Sequence, residues 1–562
     1  MSQRRATRGG AYAALPDADD AAPLLSRQHG GTLALHPQSR SYSYSYGPSG
    51  VSGLLHNRTA LASALFVSIG GLLFGYDQGV VANVLVMPAF VARWPIGAWE
   101  KGVLTAALEL GSLAGALTSG VLADRYSRRT SILTACIVFC LGSTLQTGAQ
   151  TLTHLILGRA IGGVGVGALS MLSPLYMAEI SPPEVRGALM ALEQLAIVFG
   201  AVLGFWTGYF TRDIPGDVSF RLPLGIQLVP GIVLALGSLL LPPSPRLLVL
   251  HGDTNAALVA LGTLRRRPRT DTLVQIELLE MQVEVVLLAR AAGGTSGKLG
   301  SLRAERRAWA RLFSPGYAQR TAIGVMMMFF QQWSGINALL YYGPTLMRAL
   351  GLGLQGDGVN LLVSGGIGIV QFLAVLPAIV FIDRLGRKPL LRGGSMVMTL
   401  AHFCIAVLVR QYSDDWPSHT LAAWISVGCV YLFTAAYGVS YGPIGWILPS
   451  EVFPLSTRSK GVALATASNW FNNFLIGLVT PELMEVSASG TFMIFAVACF
   501  LGYLWSTYLV PETANVSLEE IDAVFGSDAG LEELELKSQI EEELGLHDLV
   551  RQWGTPDPDH TS

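Results

Sequence analysis

The stretch Phe330-Gln331-Gln332-Trp333-Ser334-Gly335-Ile336-Asn337-Ala338-Leu339-Leu340-Tyr341-Tyr342 decides how this chain is read. It lies inside an apolar run that begins near Thr321 and continues past Leu346. A run of that length crosses a bilayer's hydrocarbon, which takes about 20 residues. Yet it carries two adjacent amides, a third at Asn337, and two tyrosines. In a dry helix such groups cost free energy unless something hydrogen-bonds them. On a continuous helix, at about 100° per residue, Gln331, Asn337 and Tyr341 fall within roughly 120° of arc. Such a face suits a neutral, hydroxyl-rich ligand at membrane depth. The competing reading is that the amides bond helix to helix.

At 562 residues, 51% hydrophobic and only 14% charged, the chain is too apolar for an ordinary soluble protein. A net charge of −2 gives no reason to expect a nucleic-acid partner. Cys136, Cys140, Cys404, Cys429 and Cys499 fall in apolar runs without metal-ligand spacing, and read as small buried hydrophobes. No Gly-rich phosphate loop or nucleophile–base arrangement is visible, so neither a cofactor nor an enzyme is expected. No cleavable signal peptide precedes the first apolar run. Residues 1–58 are polar, and their Ser41-Tyr42-Ser43-Tyr44-Ser45-Tyr46 repeat reads as disordered.

Apolar windows give twelve candidate spans. Six begin near Leu61, Val103, Ser131, Leu152, Leu189 and Leu222, within residues 59–243. Six more begin near Thr321, Val359, Leu390, Ala422, Gly461 and Thr491, within residues 320–511. Between them, residues 244–319 form a polar, Arg-rich linker expected to hold short helices, and an acidic tail follows over 512–562. Short loops rich in Lys and Arg stay cytoplasmic, and such loops follow spans two, eight and ten. Both termini and the linker are therefore expected on the cytoplasmic side. The expected fold is an all-α membrane protein of twelve transmembrane helices, in two pseudo-symmetric six-helix halves with a cytoplasmic helical insert.

The halves repeat. Asp124-Arg125-Tyr126-Ser127-Arg128-Arg129 follows span two, and Asp383-Arg384-Leu385-Gly386-Arg387-Lys388 follows span eight. Glu179 through Arg186 follows span four, and Glu451 through Arg458 follows span ten. Acid and base at matching helix ends are expected to pair across the cytoplasmic face as a gating latch, which Arg129 and Arg246 also join. Two such halves around a midplane site suit alternating access.

Three acids interrupt the spans. Asp77 in span one sits about 24 Å along from Leu61, and Arg159 in span four reaches similar depth from the opposite side. A carboxylate there must be paired, hydrated or protonated. An arginine lowers its proton affinity and apolar burial raises it, so a pair that opens and closes couples a proton to motion. Glu109 in span two either shares that proton or bonds a neighbouring helix. Glu193, nearer the cytoplasmic end of span five, joins the latch or bonds backbone.

The pattern Gln-Gln-x-x-Gly-x-Asn-x-x-x-Tyr-Tyr, from Gln331 to Tyr342, resembles helix seven of the sugar porters of the major facilitator superfamily. Other stretches match from about Leu61 to Ile521, among them Pro242-Pro243-Ser244-Pro245-Arg246 and Pro511-Glu512-Thr513. The resemblance implies sugar-contacting amides at Gln194, Gln331, Gln332 and Asn337, with Tyr341 beside them. It adds an aromatic floor at Trp446, together with Asn469 and Trp470 in span eleven. It places Asp77 and Arg159 where proton-coupled members carry an acid and a base. One departure is Ala201, where many relatives have a second glutamine. The implied function is a plasma-membrane sugar:proton symporter, monomeric in the lipid bilayer, with a hexose as leading substrate. A uniporter, a carrier of sucrose or a polyol, and a sugar sensor remain alternatives.

Overall fold

The computed structural model describes residues 31–36, 41–48, 50–291, 302–352, 357–453, 457–513, 525 and 528–554. Among them eleven helices are long and apolar enough to cross a membrane. The chain opens with strands β1 (Thr32–His36) and β2 (Ser41–Ser45) and a short α1 (Gly50–His56). The first half follows: α2 (Arg58–Val67) and α3 (Ile69–Val84) as span one, then the short α4 (Pro88–Arg93). Spans two to five are α5 (Ala98–Arg125), α6 (Arg128–Thr147), α7 (Leu152–Ile180) and α8 (Arg186–Thr211), and α9 (Val218–Ile226) with α10 (Leu228–Ser238) is span six. The linker holds α11 (Pro245–Leu250), α12 (Thr254–Arg265), α13 (Thr272–Ala291) and α14 (Leu302–Arg311).

In the second half, span seven is α15 (Pro315–Trp333) with α16 (Ile336–Ala349), followed by α17 (Asp357–Leu385) and α18 (Arg387–Tyr412). Span ten is α19 (Thr420–Val439) with α20 (Tyr441–Val452), and α21 (Arg458–Val486) and α22 (Ala488–Tyr508) complete the bundle. The tail adds α23 (Asp528–Glu543) and α24 (Leu546–Gly554). The halves meet along α5 against α21, α8 against α17, and α3 against α16.

Within the first half, small residues let backbones touch. A Cβ on Gly163 of α7 would strike the Leu108 carbonyl of α5, so this close approach requires glycine. Ala201 is buried where α8 meets α3, its backbone against Gly75 and Gly79.

Span seven corrects one expectation. It is not a continuous helix: Gly335 sits at φ +93° between α15 and α16, a conformation that glycine adopts without the Cβ penalty of other residues. The Ser334 carbonyl freed by the break lies 2.9 Å from His402 Nε2 of α18, which must therefore carry the proton. Gln331 and Asn337 thus belong to two helices and share no helical face.

The Ser-Tyr repeat corrects another. Ser41–Ser45 pairs antiparallel with Thr32–His36. Alternation of Ser and Tyr is itself the two-residue period of a strand, and the linker supplies partners for the tyrosine face. Tyr42 and Tyr44 donate to the two oxygens of Glu280 at 2.7 Å each, and Tyr46 donates to Glu277 at 2.7 Å. Burial and the Glu280 carboxylate push the Tyr44 hydroxyl well above its usual range. Arg265 grips Glu277 on α13 and donates to the Ile180 carbonyl at 2.7 Å, tying the linker to the end of α7. Leu33, Tyr46, Val274 and Val283 share one core with Ile540, Leu546 and Val550 of the tail.

Candidate functional site

Asp77 on α3 is wholly buried, and α7 brings Arg159 to it. Arg159 Nη2 stands 3.2 Å from Asp77 Oδ2, and Nη1 stands 3.5 Å from Oδ1. The guanidinium has its own anchor, since Nε donates to the Leu104 carbonyl at 2.8 Å. The closer ion contact is too poorly aligned to count as a hydrogen bond. Charge attraction without tight bonding is a pairing with which a proton can compete.

Glu109 on α5 bonds across the halves. Its Oε1 accepts from the Tyr341 hydroxyl at 2.7 Å, and its Oε2 accepts from Asn473 Nδ2 at 3.0 Å. The Tyr341 oxygen accepts in turn from Gln78 Nε2 at 3.1 Å, one residue from Asp77. Asn473 Oδ1 accepts from Asn337 Nδ2 at 2.9 Å, and the same amide reaches Gln332 Oε1 at 2.5 Å. One chain of hydrogen bonds therefore runs from beside Asp77, through Tyr341, Glu109 and Asn473, to Asn337 and Gln332. Tyr341 is its junction.

The remaining amides form a second group. Gln331 Nε2 donates to the Tyr441 carbonyl at 2.9 Å, and its Oε1 accepts from Asn469 Nδ2 at 2.7 Å. Gly445 leaves the room for the Gln331 amide, and the next residue, Trp446, is half-buried. A Cβ on Gly442 would touch Gln194 Nε2 at 3.8 Å, so Gln194 reaches from the first half to the turn that Gln331 caps. Trp470 is wholly buried with its ring centroid 4.8 Å from that of Phe74 across the half boundary. Its Nε1 has no partner among the described residues.

The residues expected as a latch take a different arrangement. Arg128 Nη2 lies 2.6 Å from Glu179 Oε1, and Arg387 Nη2 lies 2.8 Å from Glu451 Oε1. These pairs correspond between the halves, but each is internal to its half and joins neighbouring span ends. The expectation of pairing across the face is corrected for them. Each half carries its own copy of the motif, and a loop basic residue reaches its own half's acid first. Arg246 pairs with Glu284 of the linker at 2.5 Å, Arg458 Nε donates to the Phe453 carbonyl at 3.3 Å, and Arg125 lies over the Tyr126 ring at 5.8 Å. Arg186 is exposed and Arg129 is half-buried. The side chains of Asp124, Asp383 and Arg384 lie outside the described residues. Glu193 neither joins the latch nor bonds backbone: both its oxygens are buried without a partner among the described residues.

Gln78, Asn473 and Arg128 were not singled out from sequence. Asn473 follows Asn469 by one helical turn, and Arg128 occupies in the first motif the place of Arg387 in the second, so both were open to discovery. Gln78 carries no signal beyond its place beside Asp77.

A model of the sugar (and other) transporter family matches residues 63–525. The probable glucose transporter rco-3 of Neurospora crassa is 31% identical over 501 residues, covering 85% of this chain and 81% of that one. The H(+)/hexose cotransporter 2 of Parachlorella kessleri is 30% identical, covering 88% and 91%. Among solved structures, the proton:xylose symporter XylE of E. coli superposes with a TM-score of 0.68 at 26% identity, over 83% of this chain and 99% of that one. Two six-helix halves enclosing paired charges and a bonded set of amides therefore carry a family signature as well as a geometry: this chain belongs to the sugar transporter family of the major facilitator superfamily.

Proposed function

We propose that this protein imports a hexose together with a proton, by alternating access in the plasma membrane. The single observation that carries the reading is the hydrogen-bonded chain that leads from beside Asp77, through Tyr341 and Glu109, to Asn337 and Gln332. Amides both donate and accept, as sugar hydroxyls do. A hexose seated among Gln194, Gln331, Gln332, Asn337 and Asn469 exchanges its hydroxyls for the amide–amide bonds now present, with Trp446 and Trp470 covering its C–H faces.

Breaking the Asn337–Asn473 link frees Asn473 and Tyr341, and with them the two donors to Glu109 and the junction beside Asp77. Sugar occupancy and the charge state of Asp77 and Glu109 then act on one another. Separation of Arg159 from Asp77 raises the acid's proton affinity, and its return drives the proton off. Arg128–Glu179 and Arg387–Glu451 hold the span ends within each half, so that each half moves as a unit. Residues 59–243 and 320–511 are these moving halves; the tails and the 244–319 linker lie on the cytoplasmic side, where the basic loops belong. A monomer suffices for such a cycle.

The related hexose cotransporter and xylose symporter support both sugar and proton. The test is growth of a transporter-null yeast on a panel of sugars, with external pH followed on sugar addition. Hexose-dependent growth and alkalinisation, the latter lost in Asp77→Asn, are expected. Growth on hexose without proton movement makes the protein a uniporter.

A further inference from the structure

Around one turn of α3, three buried polar groups lack a partner among the described residues. They are both oxygens of Glu193 on α8, the hydroxyl of Ser173 on α7, and Nε1 of Trp470 on α21. A Cβ on Gly71 would stand 2.8 Å from Glu193 Oε1, Ser173 faces Gly70, and Trp470 packs on Phe74. The carboxyl is 6% exposed as a residue, yet it is spent on no structural bond. A buried polar group left unsatisfied costs about 1–3 kcal/mol, and three such groups from three helices on one turn mark a place that serves something outside the protein's own bonding. Gly71 precedes Asp77 by six residues, so this turn lies about 9 Å from the ion pair, toward the end where α2 and α8 begin.

The other charged groups around α8 are paired or stand at helix ends: His56 ends α1, Arg58 starts α2, Arg221 of α9 pairs with Asp217, Glu184 accepts from Asn57, and α21 carries charge only near its two ends. On α3 and α7, Asp77 is paired to Arg159, and Glu179 to Arg128. On α20, Glu451 is paired to Arg387. On α17 the ionisable residues stand only at its two ends.

We propose that Glu193 is a second proton-binding carboxyl, through which the proton released by Asp77 leaves toward the linker side. This rests on the symport reading above. When the Arg159 guanidinium closes on Asp77, the Asp77 acid gives up its proton, and water carries it to the Glu193 carboxylate. The Glu193 acid then passes it to water on the linker side, which leaves Asp77 ionised against Arg159 and Glu193 ionised against water. The Ser173 hydroxyl and the Trp470 indole offer that water an acceptor and donors on either side.

The test uses full-length wild type, Glu193→Gln and Glu193→Asp in proteoliposomes. Counterflow of labelled hexose at equal pH requires no proton release, whereas accumulation driven by a pH gradient does. Glu193→Gln is expected to keep counterflow within about twofold of wild type while accumulation falls by at least roughly tenfold, with partial recovery in Glu193→Asp. Wild-type accumulation by Glu193→Gln overturns the proposal. So does a parallel loss of counterflow, which marks a structural or sugar-binding role. Wild-type hexose uptake without any proton movement overturns the symport reading itself, so the two failures are told apart.

Discussion

Glu109 and Glu193 are both buried carboxyls on helices of the first half, yet their surroundings are opposite. Glu109 accepts from Tyr341 and Asn473 of the second half, whereas Glu193 faces Gly71 with neither oxygen bonded among the described residues. A carboxylate held by donors from the moving partner senses where that partner is. One held by nothing senses whatever water or proton reaches it. Position relative to the half boundary, more than burial, separates the two roles.

Asp77→Asn removes the charge that Arg159 answers and should have the largest effect, abolishing sugar-driven alkalinisation. Labelled-sugar counterflow should persist in that variant; its loss together with the proton would mean that the pair holds the fold. Glu109→Gln keeps the shape but turns a charged acceptor of two bonds into a neutral one. Bonds to a charged group are worth about 1.5–3 kcal/mol, so concentrative uptake should fall by roughly 10- to 100-fold. Unchanged uptake would reduce Glu109 to a spectator.

Gly335→Ala tests the broken helix. The left-handed conformation costs a Cβ-bearing residue roughly 1–2 kcal/mol, and the added methyl would meet the Phe495 ring at 2.8 Å. A lowered melting temperature in detergent is expected, with slowed uptake; a wild-type melting curve would show that the break is not required. Tyr44→Phe should have the smallest effect. It removes one bond to Glu280 in a part-buried site, worth about 1.5 kcal/mol, the low end for a charged acceptor, and should be seen as faster proteolysis before α1 with little change in transport.

The bundle was legible because lipid imposes long apolar runs whatever the side-chain detail, and the two motif copies exposed the halves. Asp77 and Arg159 were legible as a pair because both are unaffordable alone at that depth. The break at Gly335 was hidden by the continuous apolar run around it, since hydropathy does not register one left-handed residue. The Ser-Tyr hairpin was hidden because its partners, Glu277 and Glu280, lie more than 200 residues away in the linker, as the spacings of 231 and 238 show. Glu193 was misread because a carboxyl near a helix end normally finds a base or a backbone donor, and here it finds neither.

Tyr341 is where the proton side and the sugar side meet, so counting protons per sugar in Tyr341→Phe proteoliposomes tests their linkage most directly. Loss of the hydroxyl unties Glu109 Oε1 and Gln78 from one another while the amides around Gln331 stay in place. The expected result is hexose uptake that continues with fewer protons per sugar than wild type. An unaltered ratio at wild-type affinity would mean that protons and sugar communicate by another route.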